Sequence, residues 1–407
     1  MQNKELATKL NDMKPKLSFV EDAFLKDVSK YDRPLEINNN IIISGLFNVT
    51  QYNNLIDEFW KKNKEVFQNF TRDTIRKDIY DLLNKETQIT SEDIGKVYDK
   101  YKKTKEKQYW VFGKMNGVIY SGDDYIDFGP YKFFNAKKHK DDIFTLDANI
   151  EKHWEMYCEK LSDDIIVGIS IKTKEQKRAY EKAKIKFEQL ENIFKFMVPD
   201  FKKSREMSII NKKKFELTTL YIFGDESAGK SMERIPTGHD PIDLIHLTYN
   251  KEDYGINTIT SICNKDKLTE IEGRILNSIE WVGRSLSEFE YSKAYIQLMF
   301  AVETLLNYNT GENIQPSILS KISESIAFIL GENYSEKLKF EKEFKRLYGI
   351  RSAITHGRNN DINKGDFTLL LNITRKLIFS FIRNSELKDL KTFSEFQDWI
   401  QLKKYSV

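Results

Sequence analysis

Two short stretches of this chain carry residue types and spacings that could support chemistry. The stretch "RSAITHGR", residues 351 to 358, places Arg351 and His356 five residues apart. Arginine can contact a phosphate with a permanent charge, and histidine can move a proton near neutral pH. The stretch "GDESAGKS", residues 224 to 231, matches the phosphate-binding pattern G-x-x-x-x-G-K-[ST] at every position. The residues that would form this nucleotide cradle are Gly224, Gly229, Lys230 and Ser231.

The surroundings of the GDESAGKS stretch argue against a nucleotide cradle. A cradle needs a strand before the loop and a helix directly after it, because the free N–H groups of that helix hold the phosphate. A strand is predicted at residues 215 to 223, but Pro236 and Pro241 leave room for barely one helical turn after Ser231. The favoured interpretation is a hairpin loop after an edge strand, with its turn at residues 225 to 226. A nucleotide-binding switch stays open as the alternative.

The position of the RSAITHGR stretch favours a site. Arg351 lies on the same predicted helical stripe as Leu347, so its side chain is expected to point towards neighbouring helices. A charge there requires an anionic partner, and Glu303 in "AVETLLN" is the candidate. His356 directly precedes a glycine that predicts the end of the helix. Two structural alternatives stay open: Arg351 as a plain ion-pair residue, and His356 as a favourable cation at the helix C-terminus.

The first 255 residues are predicted to form a mixed α/β region. Residues 50 to 105 show apolar residues at helical intervals. Residues 109 to 255 are strand-rich, and from Tyr109 short apolar runs are cut by glycine and proline, which is typical of an antiparallel meander. One long helix interrupts the strands, and its apolar stripe consists of Ala179, Ala183, Phe187, Leu190, Phe194 and Met197.

Residues 256 to 407 are predicted to be almost entirely helical. Apolar residues recur there at intervals of three and four, Pro316 sits where a helix could begin, and Gly331 and Gly357 are placed to end helices. Several amphipathic helices with short connections indicate an antiparallel bundle. The fold class predicted for the whole chain is therefore α+β, with an N-terminal mixed α/β domain, residues 1 to 255, and a C-terminal all-α bundle.

Composition limits the protein classes. The chain has 407 residues, of which 40% are hydrophobic and 31% charged, with a formal net charge of +3. This balance argues against disorder and against a surface coated in basic charge. Two cysteines provide neither a disulfide framework nor a zinc spacing. No apolar run approaches the roughly 18 residues that span a bilayer, so we expect a cytoplasmic protein without membrane contact. We also expect neither a metal nor a cofactor.

With these residues in view, the C-terminal 145 residues or so resemble the HEPN superfamily, and within it the Apea-like HEPN group. The motif of that superfamily is an arginine followed four to six residues later by a histidine near the end of a bundle helix, and "LYGIRSAITHGR" is similar to it. The segment "AYIQLMFAVETLLN" resembles the preceding helix, which carries an acidic residue near the site, here Glu303. The residue after the arginine is often Asn, Asp or His in that family, and here it is Ser352.

The resemblance implies an endoribonuclease that needs no metal and acts as a toxin or antiviral effector in phage defence. RNA supplies its own nucleophile, the 2′-hydroxyl beside the scissile phosphate. The resemblance assigns proton transfer to His356 and charge stabilisation to Arg351. Ser352 and Arg358 would add contacts to the phosphate, and Glu303 would orient Arg351 or His356.

The resemblance also implies a homodimer through the C-terminal bundle, in which both chains bring their motifs to one cleft. The N-terminal region would then sense an unknown trigger and keep the nuclease silent. Two other hypotheses stay open: a non-catalytic HEPN module that binds RNA or protein, and the nucleotide-binding switch at residues 224 to 231.

Overall fold

The computed structural model describes residues 2–19, 34–38, 41–158, 164–198, 207–209, 216–224, 227–235, 241–245, 255–288, 290–306, 317–357 and 362–405. The chain groups into two compact units. Unit one comprises Met1–Val111, Ile171–Ala183 and Ile222–Ser227, and unit two comprises Phe112–Ser170, Lys184–Tyr221 and Ala228–Val407.

Helices dominate the N-terminal part of unit one. Its elements are α1 (Gln2–Met13), a 3-10 turn (Lys14–Lys16), β1 (Leu17–Phe19), β2 (Pro34–Asn38), β3 (Ile41–Ser44), α2 (Leu46–Lys62), α3 (Lys64–Asn69), α4 (Arg72–Leu83) and α5 (Ser91–Lys103). The strands form a small antiparallel sheet in the order β1-β3-β2. Apolar faces of the helices close over one core that includes Leu10, Ile56, Phe59, Ile79 and Ile94.

Capping fixes where α5 begins. The Thr90 hydroxyl accepts from the Asp93 amide, and the Asp93 carboxylate accepts from the Thr90 amide. This reciprocal pair satisfies two N–H groups that a helix start would otherwise leave unbonded. The start of the helix is therefore encoded within four residues.

The central part of the chain supplies most of the strands. These are β4 (Lys107–Lys114), β5 (Val118–Ile119), β6 (Ile126–Phe128), β7 (Tyr131–Asn135), β8 (Ile165–Thr173), β9 (Glu216–Gly224), β10 (Ser227–Ile235) and β11 (Ile242–Asp243). Short helices α6 (Lys140–Phe144) and α7 (Ala148–Cys158) separate β7 from β8. Strand β11 pairs with β5 in parallel as a separate two-stranded sheet.

The main sheet has the order β10-β9-β4-β8-β7-β6. Strands β6, β7 and β8 are antiparallel neighbours, with Phe128 opposite Tyr131 and Phe133 opposite Val167. The predicted meander is wrong in the position of β4, which neighbours β8 rather than the strands next to it in sequence. The first five residues of β8 are all buried, and a strand that is apolar on both faces must be covered on both faces. In the sheet it lies between β4 and β7.

The predicted long helix is present as α8 (Gln176–Met197). All six residues of its predicted stripe are at most 3% exposed, which confirms the stripe. In unit two, the ring of Phe194 lies 5.3 Å from the rings of both Phe128 and Phe133. The Tyr131 hydroxyl donates to the Lys186 carbonyl at 2.9 Å. Contacts of this kind cover one face of the sheet strands in this unit.

The C-terminal region of unit two is helical, as predicted. Its helices are α9 (Ile256–Cys263), α10 (Glu270–Ser287), α11 (Tyr291–Leu306), α12 (Ser317–Leu330), α13 (Tyr334–Thr355), α14 (Lys364–Arg383) and α15 (Phe393–Tyr405). The spacing of three and four predicts one apolar stripe on each of α10 and α11, and both are buried throughout; their residues are Ile271, Ile275, Ile279, Val282 and Leu286 on α10 and Tyr295, Leu298, Val302 and Leu305 on α11. The same spacing predicts a stripe of four isoleucines on α12, which is confirmed in part, because Ile322 and Ile326 are fully buried whereas Ile318 and Ile329 are half-exposed. Pro316 lies outside the described residues.

The protein is thus a mixed α+β chain with a helical C-terminal region, which confirms the predicted class at that level. The predicted boundary between residues 255 and 256 stays a prediction; both residues belong to unit two. Within the described ranges, the helices are too short or too polar to cross a membrane.

Candidate functional site

Two helices of the C-terminal region position the residues around the RSAITHGR stretch. Helix α13 begins after Asn333, whose side chain accepts from the Glu336 amide at 3.0 Å. It buries Phe344 and Leu347, which anchors the half of the helix that leads to Arg351. The Tyr295 hydroxyl of α11 donates to the Leu347 carbonyl at 2.8 Å. This buried bond holds α11 beside α13 one turn before Arg351.

Arg351 and Glu303 meet between these two helices, as the sequence predicts. A guanidinium nitrogen of Arg351, Nη2, lies 3.4 Å from Oε1 of Glu303. The Arg351 side chain is 26% exposed and the Glu303 side chain 19% exposed. The arginine is thus held by an opposite charge but keeps a solvent-facing portion. A half-exposed guanidinium of this kind can receive an anion from solution.

The pairing of Arg351 with Glu303 is incomplete. Well-formed arginine–carboxylate pairs usually have two parallel hydrogen bonds of about 2.7–2.9 Å. Here the closest approach of the two groups is 3.4 Å, and no hydrogen bond joins them. Within the described part of the chain, Nε of Arg351 and Oε1 of Glu303 are buried and have no hydrogen-bond partner. Buried polar atoms without partners are costly in folded proteins, so Arg351 could accommodate a further polar partner.

Tyr348 is the third member of this cluster. The guanidinium carbon of Arg351 lies 5.3 Å from the centre of the Tyr348 ring, within cation–π range. Burial raises the pKa of Tyr348, and the nearby negative charge of Glu303 acts in the same direction. The nearby positive charge of Arg351 acts oppositely. Tyr348 therefore contacts the guanidinium of Arg351 and lies close enough to Glu303 to be affected by its charge.

His356 marks the end of α13. Its backbone N–H donates to the Ser352 carbonyl at 3.1 Å, so the chain is still helical up to this point. Gly357 follows with φ of +67°, and its N–H donates to the Ile354 carbonyl at 3.0 Å. This is the glycine-ended helix terminus that the sequence predicts. The His356 side chain is exposed, and Ser352 is half-buried.

Arg351 and His356 of one chain point in different directions. Five residues along an α-helix correspond to a rise of about 7.5 Å and a rotation of about 140°. The two side chains therefore occupy different faces of the same helix end. Arg358, the third residue suggested for phosphate contact, lies outside the described residues.

The described residues of the GDESAGKS stretch lie in two β-strands. Gly224 ends β9, whereas Gly229, Lys230 and Ser231 lie inside β10, which continues to Ile235. Since β9 and β10 are neighbours joined by only two residues, they must run antiparallel. The outer strand is β10 and β9 is interior, so the predicted edge position of β9 is wrong. Lys230 and Ser231 lie in a strand and not at the start of a helix.

Packing explains why residue 224 is a glycine. It is buried, and a Cβ atom added there would come within 2.2 Å of the Tyr109 ring, in unit one. The glycine lets the β9 backbone approach this aromatic side chain closely. The match to the phosphate-binding pattern at this position therefore has a structural cause that needs no nucleotide.

Sequence reasoning missed Tyr348. A signal for it was available, since residues three apart on a helix share a face, and Tyr348 precedes Arg351 by three. Its closeness to the charge of Glu303, on a different helix, could not be predicted from spacing. Elsewhere in the described ranges, no group of three or more His, Cys, Asp or Glu residues is placed to hold a metal ion.

Comparison of this chain with protein-family models, with curated proteins and with solved structures finds no match.

Proposed function

We propose that this chain is an endoribonuclease of the HEPN type, in which Arg351 and His356 cleave RNA without a metal ion. The observation that carries the proposal is the half-exposed, incompletely paired guanidinium of Arg351 beside a helix end that presents an exposed His356. Both groups are accessible to a large substrate, and their charges suit a phosphodiester.

These residue types match the chemistry of RNA cleavage. The 2′-hydroxyl of RNA attacks the adjacent phosphorus, the bond to the 5′-oxygen breaks, and the products are a 2′,3′-cyclic phosphate and a 5′-hydroxyl. His356 would accept the proton of the attacking hydroxyl or deliver one to the leaving oxygen. Arg351 would stabilise the negative charge that builds up on the phosphate oxygens. Glu303 would orient Arg351, and Ser352 would hydrogen-bond the phosphate.

A homodimer would complete the site. Because Arg351 and His356 of one chain lie on different faces of α13, two chains that meet at this helix end would bring one arginine and one histidine to each side of a shared groove. Such an enzyme would act in the cytoplasm as a toxin or phage-defence effector. The N-terminal region would keep it silent until a trigger arrives.

RNA cleavage by the purified protein tests the proposal. Native protein and the His356→Ala and Arg351→Ala variants are incubated with total RNA in EDTA, and the new RNA ends are identified. We expect the native protein to leave 2′,3′-cyclic phosphates and both variants to lose about 10²-fold or more in rate. His153→Ala, which changes a half-exposed histidine on α7, is the matched control. If both site variants cleave like the native protein, the proposed site is wrong.

Mixing inactive variants tests the shared groove. In a heterodimer of Arg351→Ala and His356→Ala chains, the shared groove keeps one arginine and one histidine, each from a different chain, whereas a dimer of either variant alone lacks both copies of one residue. Mixing the two inactive proteins under conditions that exchange subunits should therefore restore part of the activity. A mixture that stays inactive, although mass measurements show heterodimers, would exclude a site shared in this way.

The two other hypotheses predict different results. A non-catalytic HEPN module would bind RNA equally well with and without His356 and cleave it in neither form. A nucleotide switch would bind ATP or GTP and lose that binding in Lys230→Ala. The strand position of Lys230 favours the ribonuclease over this switch.

A further inference from the structure

Positive charge is concentrated on unit one where the end of α5 and the start of β4 meet the end of β8 and the start of α8. The two segments are residues 99–107 and 172–182, and we call them together the basic junction. They contain ten lysines and arginines against four acidic residues, in a chain whose formal net charge is only +3. Both segments belong to unit one.

Direct contacts hold the two segments of the basic junction together. Nζ of Lys174 donates to the carbonyls of Tyr101 and Lys102 at 3.0 and 3.3 Å, which ties the segment before α8 to the end of α5. Nζ of Lys172 lies 3.3 Å from Oε2 of Glu106. The Lys174 side chain is only 9% exposed, so it serves the fold and not a ligand. The basic junction is therefore a surface of fixed shape.

Another part of the positive charge has no partner within the described chain. Five cations of the basic junction form ion pairs with carboxylates, and these are Lys100, Lys172, Lys174, Lys177 and Arg178. Four lysines make no ion pair with any described residue, and these are Lys102, Lys103, Lys105 and Lys182. The first three of these four are exposed. They are placed to meet an anion from solution.

Lys182 lies in surroundings that favour a bound anion. It is half-buried on α8, and burial lowers its pKa. The positive charge of Arg178, one turn earlier, acts in the same direction, and the opposing effect of Glu106 is smaller. Glu106 is also shared with Lys172. A negative group beside Lys182 would offset both the burial and the like charge.

An aromatic pair borders the basic junction. The guanidinium carbon of Arg178 lies 5.2 Å from the ring centres of both Trp60 and Phe67, and the two ring centres are 4.8 Å apart. Nη2 of Arg178 donates to the Phe67 carbonyl at 2.7 Å, which fixes α3 beside α8. Phe67 is 37% exposed, so part of its ring faces solvent. Cations that follow a backbone and a ring that stacks on a base are the combination that binds single-stranded nucleic acids.

We propose that the basic junction binds single-stranded nucleic acid. Its four lysines without ion-pair partners contact phosphates, and Phe67 stacks on an unpaired base. The inference goes beyond the proposed function, because it concerns unit one, involves neither Arg351 nor His356 and requires no cleavage. It gives the N-terminal region a ligand of defined chemistry.

Binding of a short single-stranded RNA that carries 2′-O-methyl groups tests the proposal. This strand lacks the 2′-hydroxyl nucleophile and stays intact. Each phosphate contact to a single strand contributes about 0.7 to the slope of log K against log salt, so four contacts contribute about 2.8, and a fourfold rise in salt weakens binding about 50-fold through them. The full-length variant with Lys102, Lys103, Lys105 and Lys182 changed to Gln should bind more weakly at low salt and lose this salt dependence. A native Kd and slope in this variant would overturn the proposal.

A second fourfold variant controls for net charge. It changes Lys4, Lys339, Lys376 and Lys388 to Gln, which are exposed lysines on other parts of the chain. The change of charge is the same, so a surface-specific site predicts nearly native affinity and slope. Equal losses in both variants would mean that net charge alone attracts the RNA, and the basic junction would not be a site. Circular dichroism checks that both variants are folded.

Phe67→Leu tests the stacking contact, since leucine keeps an apolar side chain without a ring. We expect its Kd for the single strand to rise about fivefold or more with no change of salt slope. A duplex of the same sequence keeps its bases stacked on one another, so it should bind more weakly and show no effect of this substitution. Equal binding of duplex and single strand, with no loss in Phe67→Leu, would overturn the proposal. Tighter binding to phosphatidylserine vesicles or to polyglutamate would overturn it as well.

The binding assay separates this inference from the ribonuclease proposal. If the native protein binds the methylated strand through the basic junction but does not cleave unmodified RNA, the proposed function fails and the basic junction stands. If it cleaves RNA but the lysine variant binds like the native protein, the basic junction fails and the proposed function stands.

Discussion

Gly283 on α10 provides a direct test of how α8 packs in unit two. A Cβ atom added at Gly283 would lie 2.4 Å from the backbone Cα of Asn192 and 2.5 Å from its Cβ. The same helix contains Gly273, where an added Cβ meets nothing within 4 Å. The substitutions Gly283→Ala and Gly273→Ala therefore make the same chemical change in one helix with opposite surroundings.

The structure allows the size of each effect to be worked out. Replacement of glycine by alanine inside a helix gains about 0.5–1 kcal/mol because alanine loses less conformational entropy. Gly273→Ala should show this gain. At Gly283 the nearest obstacle is backbone, which no side-chain rotation can remove, so the helices must move apart. Overpacking of this kind costs about 1–3 kcal/mol. Because the gain from alanine is common to both substitutions, we expect Gly283→Ala to be less stable than Gly273→Ala by the overpacking cost of about 1–3 kcal/mol.

Thermal unfolding followed by far-UV circular dichroism measures this difference. For domains of roughly 150–250 residues, 1 kcal/mol corresponds to a shift of about 2–4 °C in melting temperature. Gly283→Ala should melt several degrees below the native protein, and Gly273→Ala slightly above it. If Gly283→Ala were as stable as Gly273→Ala, α8 would not approach α10 at Asn192 as described.

Three further predictions concern single contacts. Ser278→Ala should cost about 1 kcal/mol because its buried hydroxyl donates to a carbonyl of α11 at 2.9 Å. Ser285→Ala, also on α10, should be neutral or stabilising, since the buried hydroxyl of Ser285 has no partner among the described residues. Urea unfolding compares the two variants, and an equal loss of unfolding free energy in both would contradict this reasoning. A hydrogen bond from Lys85, followed by those of the helix cap, holds the pKa of Asp93 well below its usual range. Asp93 therefore contributes stability that is present above its unfolded pKa of about 4 and is lost as the pH falls through the folded pKa. The melting temperature should consequently fall less steeply with decreasing pH in Asp93→Asn than in the native protein. Parallel curves of melting temperature against pH would refute the assignment. Gly224→Ala should destabilise by about 1–3 kcal/mol through its clash with an aromatic ring, and an unchanged melting temperature would argue against the close approach at β9.

Much of the helical architecture could be predicted from the sequence because its causes are local. The stripe of α8 and those of α10 and α11 follow from apolar residues three and four apart. The end of α13 follows from Gly357, which takes the left-handed conformation that favours glycine. The contact of Arg351 with Glu303 was predictable for a related reason, since a charge on a stripe that faces other helices requires a partner.

The order of the strands in the sheet was harder to predict from the sequence than the helices. A strand pairs with residues far away in sequence, and the short runs from Tyr109 onwards carry no mark of which strand lies beside which. The interior place of β8 depends on its pairing with both β4 and β7, which are distant from each other in the sequence. Likewise, the sequence GDESAGKS matches a phosphate-binding pattern, although its described residues belong to two neighbouring strands.

By itself, then, the sequence determined the elements whose signals lie within one or two helical turns: stripes, caps, glycine stops and the motif of Arg351 and His356. Only the tertiary structure decided which of these elements meet. It brings Arg351 to Glu303 and to the Tyr348 ring and leaves the pair of Arg351 with Glu303 incomplete. It also distinguishes Gly283 from Gly273, two glycines in one helix that differ only in what lies opposite them. The physical reason is that packing and electrostatic contacts depend on distances in space, which local sequence patterns do not specify.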